Sequence, residues 1–205
     1  MKIIGLTGGV SSGKNFVAEI FRKNGAAIFD ADVEVHNLLE GDEVTIHLVK
    51  KEFLESFVDN RINRQVLGKI VFADKKKLKI LEKILHPRVR KKYQEFLKSA
   101  HQEKKELAVL NIPLLLEKKG YKCDVVIAII TQKSIQKKRF LAREKAEKNS
   151  DLSGLSERFE QIFSHQISNS ERISKADFVV KNDLPKNEVR KQILGILKNL
   201  LKNNS

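Results

Sequence analysis

The sequence predicts an α/β fold in which helices cover both faces of a five-stranded parallel sheet. Three observations support this prediction: short runs of Ile, Val and Leu recur along the chain, polar stretches with helical spacing separate them, and the runs are continuous instead of alternating. A continuous apolar run indicates a strand that is buried on both faces, as in a parallel sheet. We predict strands at residues 2–7, 26–29, 107–112, 124–130 and 177–180.

Helices are expected between these strands. Apolar residues three and four positions apart predict helices at residues 44–57, 75–85, 135–146 and 186–201. Two intervals are longer than a crossover helix requires: about 75 residues separate the second and third strands, and about 45 separate the fourth and fifth. We therefore predict two insertions. The three prolines, Pro87, Pro113 and Pro185, are expected to mark turns or helix starts.

The charge of the chain is strongly positive and unevenly distributed. Among 205 residues, 40 Lys and Arg oppose 26 Asp and Glu, and residues 71–150 hold +13 of the net +14. Such a surplus predicts an anionic partner. A nucleic-acid-binding protein is an alternative, but only 6% of the residues are aromatic and Trp is absent. We expect no specific nucleic-acid partner.

The single cysteine, Cys123, excludes an intramolecular disulfide and fits a reducing compartment. It directly precedes an apolar run, so we expect a buried structural thiol.

No apolar segment is as long as a membrane span, which needs about 18 residues, and the N-terminal apolar run is too short for a signal peptide. We expect a soluble cytoplasmic protein without a membrane partner, and its oligomeric state is left open.

A glycine-rich segment follows the first predicted strand and opens the first predicted helix. In a Gly-x4-Gly-Lys loop, backbone N–H groups wrap a phosphate, the helix N-terminus adds its dipole, and the lysine reaches the β and γ oxygens. The sequence therefore predicts a nucleotide site. Its residues are Gly8, Gly9, Val10, Ser11, Ser12, Gly13, Lys14, Asn15 and Phe16.

Asn15 departs from the usual pattern of this loop. The residue after the lysine is ordinarily Ser or Thr, whose hydroxyl ligates Mg²⁺. An amide oxygen is also a hard ligand, although the Asn side chain is longer and would displace or hydrogen-bond a metal-bound water. We hypothesise that Asn15 serves Mg²⁺ directly or through water.

Two carboxylates, Asp30 and Asp32, follow the second predicted strand. Ligands of open α/β sheets bind at the carboxyl ends of the strands, so both are expected at the same crevice as the glycine-rich loop. A carboxylate there can accept a proton from an attacking hydroxyl or hold the shell of a Mg²⁺ ion. Asp30 can instead be the N-cap of the next helix.

An ordered set of motifs along nearly the whole chain resembles the dephospho-coenzyme A kinases. The matching segments are Gly5-Leu6-Thr7-Gly8-Gly9, Asp30-Ala31-Asp32 with His36, Arg64 before Leu67-Gly68-Lys69-Ile70-Val71-Phe72, Leu81-Glu82-Lys83-Ile84-Leu85-His86-Pro87, Ile112-Pro113-Leu114-Leu115-Leu116-Glu117, Gln136 with Arg139 and Arg143, Gln166 with Arg172, and Ala176-Asp177-Phe178-Val179-Val180 before Asn182.

The resemblance implies a kinase that uses ATP and Mg²⁺ to phosphorylate the ribose 3′-hydroxyl of dephospho-CoA, the last step of coenzyme A biosynthesis. It implies a P-loop core at residues 1–33 and 106–205, a helical acceptor-binding insertion at 34–105 and a lid at 138–172. A nucleoside or nucleoside-monophosphate kinase, which shares the loop and the lid, is the alternative.

The resemblance also implies roles for single residues. Asp32 corresponds to the general base and a metal-shell ligand, Lys14 to the phosphate clamp, and Asn182 to a nucleotide contact. Arg139 and Arg143, four apart on a predicted helix, share one face and are expected to stabilise the transferring phosphoryl group. The acceptor is expected to contact Asp30, His36, Arg64 and His86.

One of these expectations has an alternative, and one further position departs from the pattern of related kinases. His86 can cap a helix start instead of contacting the acceptor. Asn111, at the end of the third strand, is neutral where related P-loop kinases often place a carboxylate that holds a metal-bound water. The metal shell is therefore expected to depend on Asp30, Asp32 and the phosphates of ATP.

Overall fold

The computed structural model describes residues 1–113, 115–116, 120–147 and 154–202. The chain divides into two compact units, Met1–Phe29 with Ala100–Ser205, and Asp30–Ser99. The insertion that the resemblance implies, at residues 34–105, begins and ends a few residues later than the second unit. The predicted lid at 138–172 includes residues 148–153, which lie outside the described residues.

The elements follow one another with short connections. In chain order they are β1 (Lys2–Gly8), α1 (Lys14–Lys23), β2 (Ala27–Asp30), α2 (Ala31–Gly41), α3 (Glu43–Glu52), a 3₁₀ turn (Leu54–Ser56), β3 (Phe57–Val58), β4 (Arg61–Ile62), α4 (Arg64–Ala73), α5 (Lys75–Gln102), β5 (Leu107–Asn111), β6 (Val125–Ile130), α6 (Lys133–Glu147), α7 (Leu155–Ser164), α8 (Asn169–Ser174), β7 (Phe178–Lys181) and α9 (Lys186–Lys202).

The first unit is built on a five-stranded sheet in the order β2-β5-β1-β6-β7. The predicted strands are all present, and the parallel sheet flanked by helices is confirmed. β1 lies at the centre, where Leu6 pairs with Asn111 of β5 and Gly8 with Ile129 of β6. Because parallel strands end at the same edge, residues that follow β1, β5 and β6 are brought together there.

Burial on both faces explains why the strands are continuous apolar runs. The consecutive residues Val109 and Leu110 of β5 point to opposite faces and are both fully buried, and on one face Leu6 of β1 shares a core with Phe21 of α1 and Ile193 of α9. Complete burial of a side chain of this size stabilises the fold by about 1.5–3 kcal/mol. The core therefore fixes the strand whose end carries the glycine-rich loop.

Cys123 lies against the middle of β1. A Cβ on Gly5 would overlap the Sγ atom of Cys123 and the side chain of Leu115, so glycine is required there for space. Burial raises the pKa of the Cys123 thiol to about 11, and the neighbouring charge of Asp124 adds to this effect. The half-buried thiol therefore stays protonated near neutral pH and serves packing.

The second unit is helical, with its core between α3, α4 and the first half of α5. The helix predicted at residues 44–57 is wrong at its end, because α3 stops at Glu52. Phe53 leaves helical geometry at φ −138°, and a short hairpin of β3 and β4 follows. Asp59 and Asn60 form its two-residue turn with φ of 49° and 60°. Both residue types tolerate this left-handed conformation better than most.

Pro87 lies inside α5, so the prediction that it marks a turn or a helix start is wrong, and the helix predicted at residues 75–85 continues to Gln102. A proline removes one backbone donor and crowds the preceding turn, at a cost of about 3 kcal/mol. The carbonyl that loses its helical N–H partner is that of Lys83, and on the next residue the Ile84 carbonyl accepts a hydrogen bond from the Arg88 guanidinium at 2.8 Å. Buried residues on both sides of Pro87, such as Leu85 and Val89, hold the helix in place.

The cap of α3 gives a prediction for the stability of the protein. Asp42 accepts hydrogen bonds from the hydroxyl and the backbone N–H of Thr45, and the Nε atom of Arg88 lies 3.5 Å from the carboxylate. The Thr45 hydroxyl, then the Thr45 backbone N–H and then the charge of Arg88 hold the pKa of Asp42 below its ordinary value, against the opposing effect of partial burial. A lowered folded-state pKa means that the stabilisation is present at neutral pH and is lost as the pH falls through that pKa.

We therefore expect Asp42→Ala to lower the free energy of unfolding by about 1 kcal/mol at pH 7, and the difference from the unmodified chain to shrink at a second, acidic pH at which the Asp42 carboxylate of the folded protein is protonated. Urea titrations at the two pH values measure both effects. Asp42→Asn is the control, because Asn also caps helices but does not titrate. Equal stability of the Asp42→Ala variant and the unmodified chain at pH 7 would contradict this account.

Among the described residues, no helix has the length and apolar character needed to cross a membrane.

Candidate active site

The glycine-rich loop connects the end of β1 to the start of α1. Gly13 occupies the N-cap position of α1 with φ 93°, a left-handed conformation in which a Cβ would also overlap the Nδ2 atom of Asn182. Ser11 adopts φ 53°, which costs a non-glycine residue about 1 kcal/mol. Backbone geometry of this kind turns successive N–H groups to one side of a loop.

The start of α1 is suited to an anion. Its first turn holds no acidic residue, and no described side chain caps its N-terminus. The Lys14 ammonium group donates a hydrogen bond to the carbonyl of Gly8 at 3.0 Å and so spans the loop. The positive end of the helix dipole and this ammonium group coincide at one place, which is the arrangement that binds phosphate.

Side chains from distant segments hold the outer side of the loop. The carbonyl of Ser12 accepts a hydrogen bond from the Asn182 Nδ2 atom at 2.6 Å and one from the Thr131 hydroxyl at 3.0 Å. The N–H of Val10 donates to the Gln166 Oε1 atom at 2.8 Å. These bonds hold the loop through its own backbone groups, so its shape does not depend on a ligand.

A second layer holds these bracing residues in turn. Gln136 is 1% exposed and donates to the carbonyl of Thr131 at 2.7 Å, and a Cβ on Gly9 would lie 2.8 Å from its Oε1 atom. The buried Arg172 guanidinium donates to the Thr7 hydroxyl at 2.9 Å, just before the loop. A buried charge with hydrogen bonds fixes the strand end in one position.

Some of the residues that brace the loop were visible in the sequence motifs, but no function was predicted for them. Gln136, Gln166 and Arg172 belong to the motifs of the resemblance but were assigned no function, and Thr131 was missed. A signal for Thr131 was available: it directly follows β6, and polar residues at the carboxyl ends of parallel strands face the ligand edge of the sheet.

The two predicted arginines of α6 have different surroundings. Arg139 donates from Nη2 to the backbone carbonyl of Asn182 at 2.8 Å, and its Nη1 atom lies 3.6 Å from the position of a Cβ on Gly13. Arg143 is half exposed, 4.0 Å from Glu144 and stacked over the ring of Phe140. The structure thus brings Arg139 and Asn182, but not Arg143, to the glycine-rich loop.

The two asparagines that depart from the usual pattern are in contact with each other. Asn111, which ends β5 and is 3% exposed, donates a hydrogen bond from Nδ2 to the Oδ1 atom of Asn15 at 2.9 Å. This bond occupies a lone pair of the oxygen that was expected to serve Mg²⁺. The P-loop side of the site therefore offers a cation a neutral amide pair instead of a hydroxyl and a carboxylate.

The predicted acceptor-side residues lie in the second unit. Asp30 caps α2, since its Oδ1 atom accepts hydrogen bonds from the backbone N–H groups of Asp32 at 3.0 Å and Val33 at 3.2 Å. Asp32 is exposed in the first turn of α2, and His36, one turn later, lies 3.4 Å from Glu40. The structure therefore brings Asp30, Asp32 and His36 together on one helix.

Arg64 and His86 belong to other helices of the same unit. Arg64 is the exposed first residue of α4, and the Asn63 side chain caps that helix by accepting hydrogen bonds from two backbone N–H groups. His86 lies half-buried within α5, directly before Pro87. Because α5 continues through this position, the alternative in which His86 caps a helix start is wrong.

The donor set decides which ligands the site can hold. A nucleotide phosphate fits the loop, because the α1 N-terminus, Lys14 and Arg139 provide N–H donors and positive charge. Among the described residues, no group of three or more His, Cys, Asp or Glu side chains is placed to hold a metal ion. A hydroxyl and a carboxylate at these positions would suit direct coordination of Mg²⁺ by the protein. The neutral pair of Asn15 and Asn111 does not.

Comparison with known proteins agrees with a nucleotide site of this kind. The family model for dephospho-CoA kinase matches residues 2–188. A dephospho-CoA kinase of Bartonella henselae is 38% identical over 204 residues, which are 99% of this chain and 100% of that protein.

Solved structures give the same result. TT1252 from Thermus thermophilus has a TM-score of 0.80 at 29% identity, covering 100% of this chain and 98% of the other. The dephospho-CoA kinase of Campylobacter jejuni has a TM-score of 0.63 at 27% identity, covering 97% of each chain. With the phosphate-binding loop, the full-length relative and the family model in agreement, the chain belongs to the dephospho-CoA kinase family.

Proposed function

We propose that this chain transfers the γ-phosphoryl group of ATP to the ribose 3′-hydroxyl of dephospho-CoA, the last step of coenzyme A biosynthesis. It is an ATP-dependent kinase by family, with a match over residues 2–188. The observation that carries the proposal is the braced glycine-rich loop with Lys14 at the start of α1, within a chain that matches this family over its whole length.

The nucleotide side of the reaction uses the residues of the loop. Backbone N–H groups of the loop other than those of Val10, Ser12 and Phe16, which donate to protein oxygens, would bind the β-phosphate. Lys14 would exchange its hydrogen bond with the Gly8 carbonyl for phosphate oxygens. Arg139, held by the Asn182 carbonyl, is the guanidinium we assign to the transferring phosphoryl group. Catalysis of phosphoryl transfer consists mostly of such positioning and charge stabilisation. Arg143 can contact the transferring phosphoryl group only if its side chain adopts a different rotamer.

We assign the general base to Asp32. The 3′-oxygen forms a bond to the γ-phosphorus, the bond from that phosphorus to the bridging oxygen of ADP breaks, and the hydroxyl proton passes to the Asp32 carboxylate. Asp30 keeps Asp32 in place, because its own carboxylate caps the helix on which Asp32 lies. The Asp30 carboxylate therefore orients the backbone of the turn that carries the Asp32 carboxylate.

The remaining assignments concern the acceptor and the metal. We propose that His36, Arg64 and His86 contact dephospho-CoA from the second unit, that residues 34–105 form the acceptor-binding insertion, and that residues 138–172 form a lid. Mg²⁺ would enter with ATP and supply charge neutralisation at the phosphates. Asp32 remains a proposed member of its shell. A cytoplasmic location remains an expectation from the single cysteine.

A coupled assay that reports ADP tests the proposal. The full-length protein is offered Mg-ATP with dephospho-CoA, AMP, dTMP or a nucleoside as acceptor. We expect kcat/KM for dephospho-CoA to exceed that for every other acceptor by at least about 100-fold, because several acceptor contacts are lost with the shorter substrates. A preference for AMP, dTMP or a nucleoside would overturn the proposed function in favour of a nucleoside or nucleoside-monophosphate kinase.

A further inference from the structure

The hydrogen bond between Asn15 and Asn111 joins two residues that lie 96 positions apart in the sequence. Asn111 is buried at the end of β5, which pairs directly with β1, the strand that leads into the phosphate-binding loop. Asn15 is the second residue of α1. The pair is therefore part of the phosphate site itself, at the positions where P-loop enzymes hold the metal of the nucleotide with a hydroxyl and a carboxylate.

The chemistry of the pair differs from that arrangement in two ways. Both side chains are uncharged, so the protein places no negative charge against a cation at this point. The Nδ2 group of Asn111 also points a partial positive charge at the Asn15 oxygen, which is the atom that a cation would otherwise approach. Both effects weaken direct coordination of Mg²⁺, which prefers anionic oxygens in near-octahedral geometry.

The same neutrality favours a nucleotide without its metal. A carboxylate at position 111 would repel the phosphates of free ATP, and Mg²⁺ would be needed to screen them. Lys14 and Arg139 place two cationic groups at the loop. They can neutralise part of the phosphate charge directly.

We propose that the Asn15 and Asn111 amide pair makes nucleotide binding by this enzyme nearly independent of Mg²⁺. The pair contacts the metal at most through its water molecules, and the affinity for ATP comes from the loop N–H groups, Lys14 and Arg139. This inference rests on ATP binding at the phosphate-binding loop, as in the proposed function, and concerns this chain's own residues instead of the family as a whole.

The test is an equilibrium titration with AMP-PNP, a non-hydrolysable ATP analogue, by isothermal calorimetry in the presence of EDTA and of excess MgCl₂. For the unmodified protein, we expect the two Kd values to agree within about threefold. For Asn15→Ser/Asn111→Asp, which restores the hydroxyl and the carboxylate, we expect the ratio of Kd in EDTA to Kd in Mg²⁺ to rise at least about tenfold.

Two further variants make the result specific. Asn111→Asp alone should weaken binding in EDTA and strengthen it in Mg²⁺, so it tests the idea even if the double variant is unstable. Asn60→Asp, in the exposed turn between β3 and β4, makes the same charge change away from the loop and should leave the ratio unchanged.

The outcomes separate this inference from the proposed function. Tight binding that Mg²⁺ strengthens more than about tenfold in the unmodified protein would overturn the inference alone. So would a folded Asn15→Ser/Asn111→Asp variant whose ratio equals that of the unmodified protein. Absence of AMP-PNP binding under both conditions would overturn the proposed function and the inference together.

Discussion

Asp32→Asn is expected to lower kcat by about 10²–10⁴-fold, the usual contribution of a general base, while the affinity for ATP stays within about twofold. The amide has nearly the shape of the carboxylate but cannot accept the proton of the attacking hydroxyl. Asp32 lies exposed in the first turn of α2, and the Asp30 cap holds the backbone of that turn through the N–H of residue 32. The substitution therefore changes the chemistry of one side chain and leaves its placement intact.

Glu34→Gln is the matched control for this prediction, because it removes the same charge from the same first turn of α2. Steady-state rates with dephospho-CoA, together with calorimetric titration of ATP, separate turnover from binding. Thermal unfolding checks that both variants are folded. A kcat for Asp32→Asn within about threefold of that for Glu34→Gln would assign the general base to another residue.

The strands could be predicted from the sequence because each depends on a contiguous apolar run. Consecutive strand residues such as Val109 and Leu110 point to opposite faces of the sheet and are both fully buried, and this burial is visible in the sequence as continuous hydrophobicity. The helix ends were predicted less well, because their causes are local. The α3 helix ends where Phe53 leaves helical geometry, and α5 continues through Pro87 between buried residues such as Leu85 and Val89.

The same distinction holds for the site. The glycine-rich loop is contiguous, so its residue types and spacing were sufficient to predict it. The residues that brace the loop come from separate segments, and only the folded sheet brings Thr131, Gln166 and Asn182 to it. The contact between Asn15 and Asn111 is a further case. The sequence shows that each of these two asparagines differs from the usual P-loop pattern, but the hydrogen bond between them depends on the pairing of β5 with β1.

Position along the chain also limits what a spacing argument can say about a helix face. Arg139 and Arg143 are one turn apart, which predicted a shared role. In the structure, the Asn182 carbonyl binds Arg139, whereas Arg143 lies over Phe140. A shared face therefore did not give the two guanidinium groups the same neighbours, because the choice between rotamers depends on contacts from other elements.

Lys14→Met is expected to lower kcat/KM by about 10²–10³-fold, the loss that follows removal of one positioned donor at a developing charge. Methionine retains most of the length and apolar stem of lysine but carries no ammonium group. The side chain now spans the loop by donating to the Gly8 carbonyl at 3.0 Å, and a nucleotide would replace that carbonyl with phosphate oxygens. The variant should therefore lose phosphate binding and also the hydrogen bond that links the two ends of the loop.

Lys23→Met is the matched control, because it removes the same charge from the other end of α1, where Lys23 forms only an exposed ion pair with Glu19 at 3.9 Å. If Lys14 acts on the phosphates, its variant should also lose AMP-PNP affinity, whereas Lys23→Met should bind like the unmodified protein. A purely structural role would lower the melting temperature of Lys14→Met without changing the affinity of its folded fraction. Full turnover by a folded Lys14→Met protein would exclude Lys14 as the group that binds the transferring phosphates.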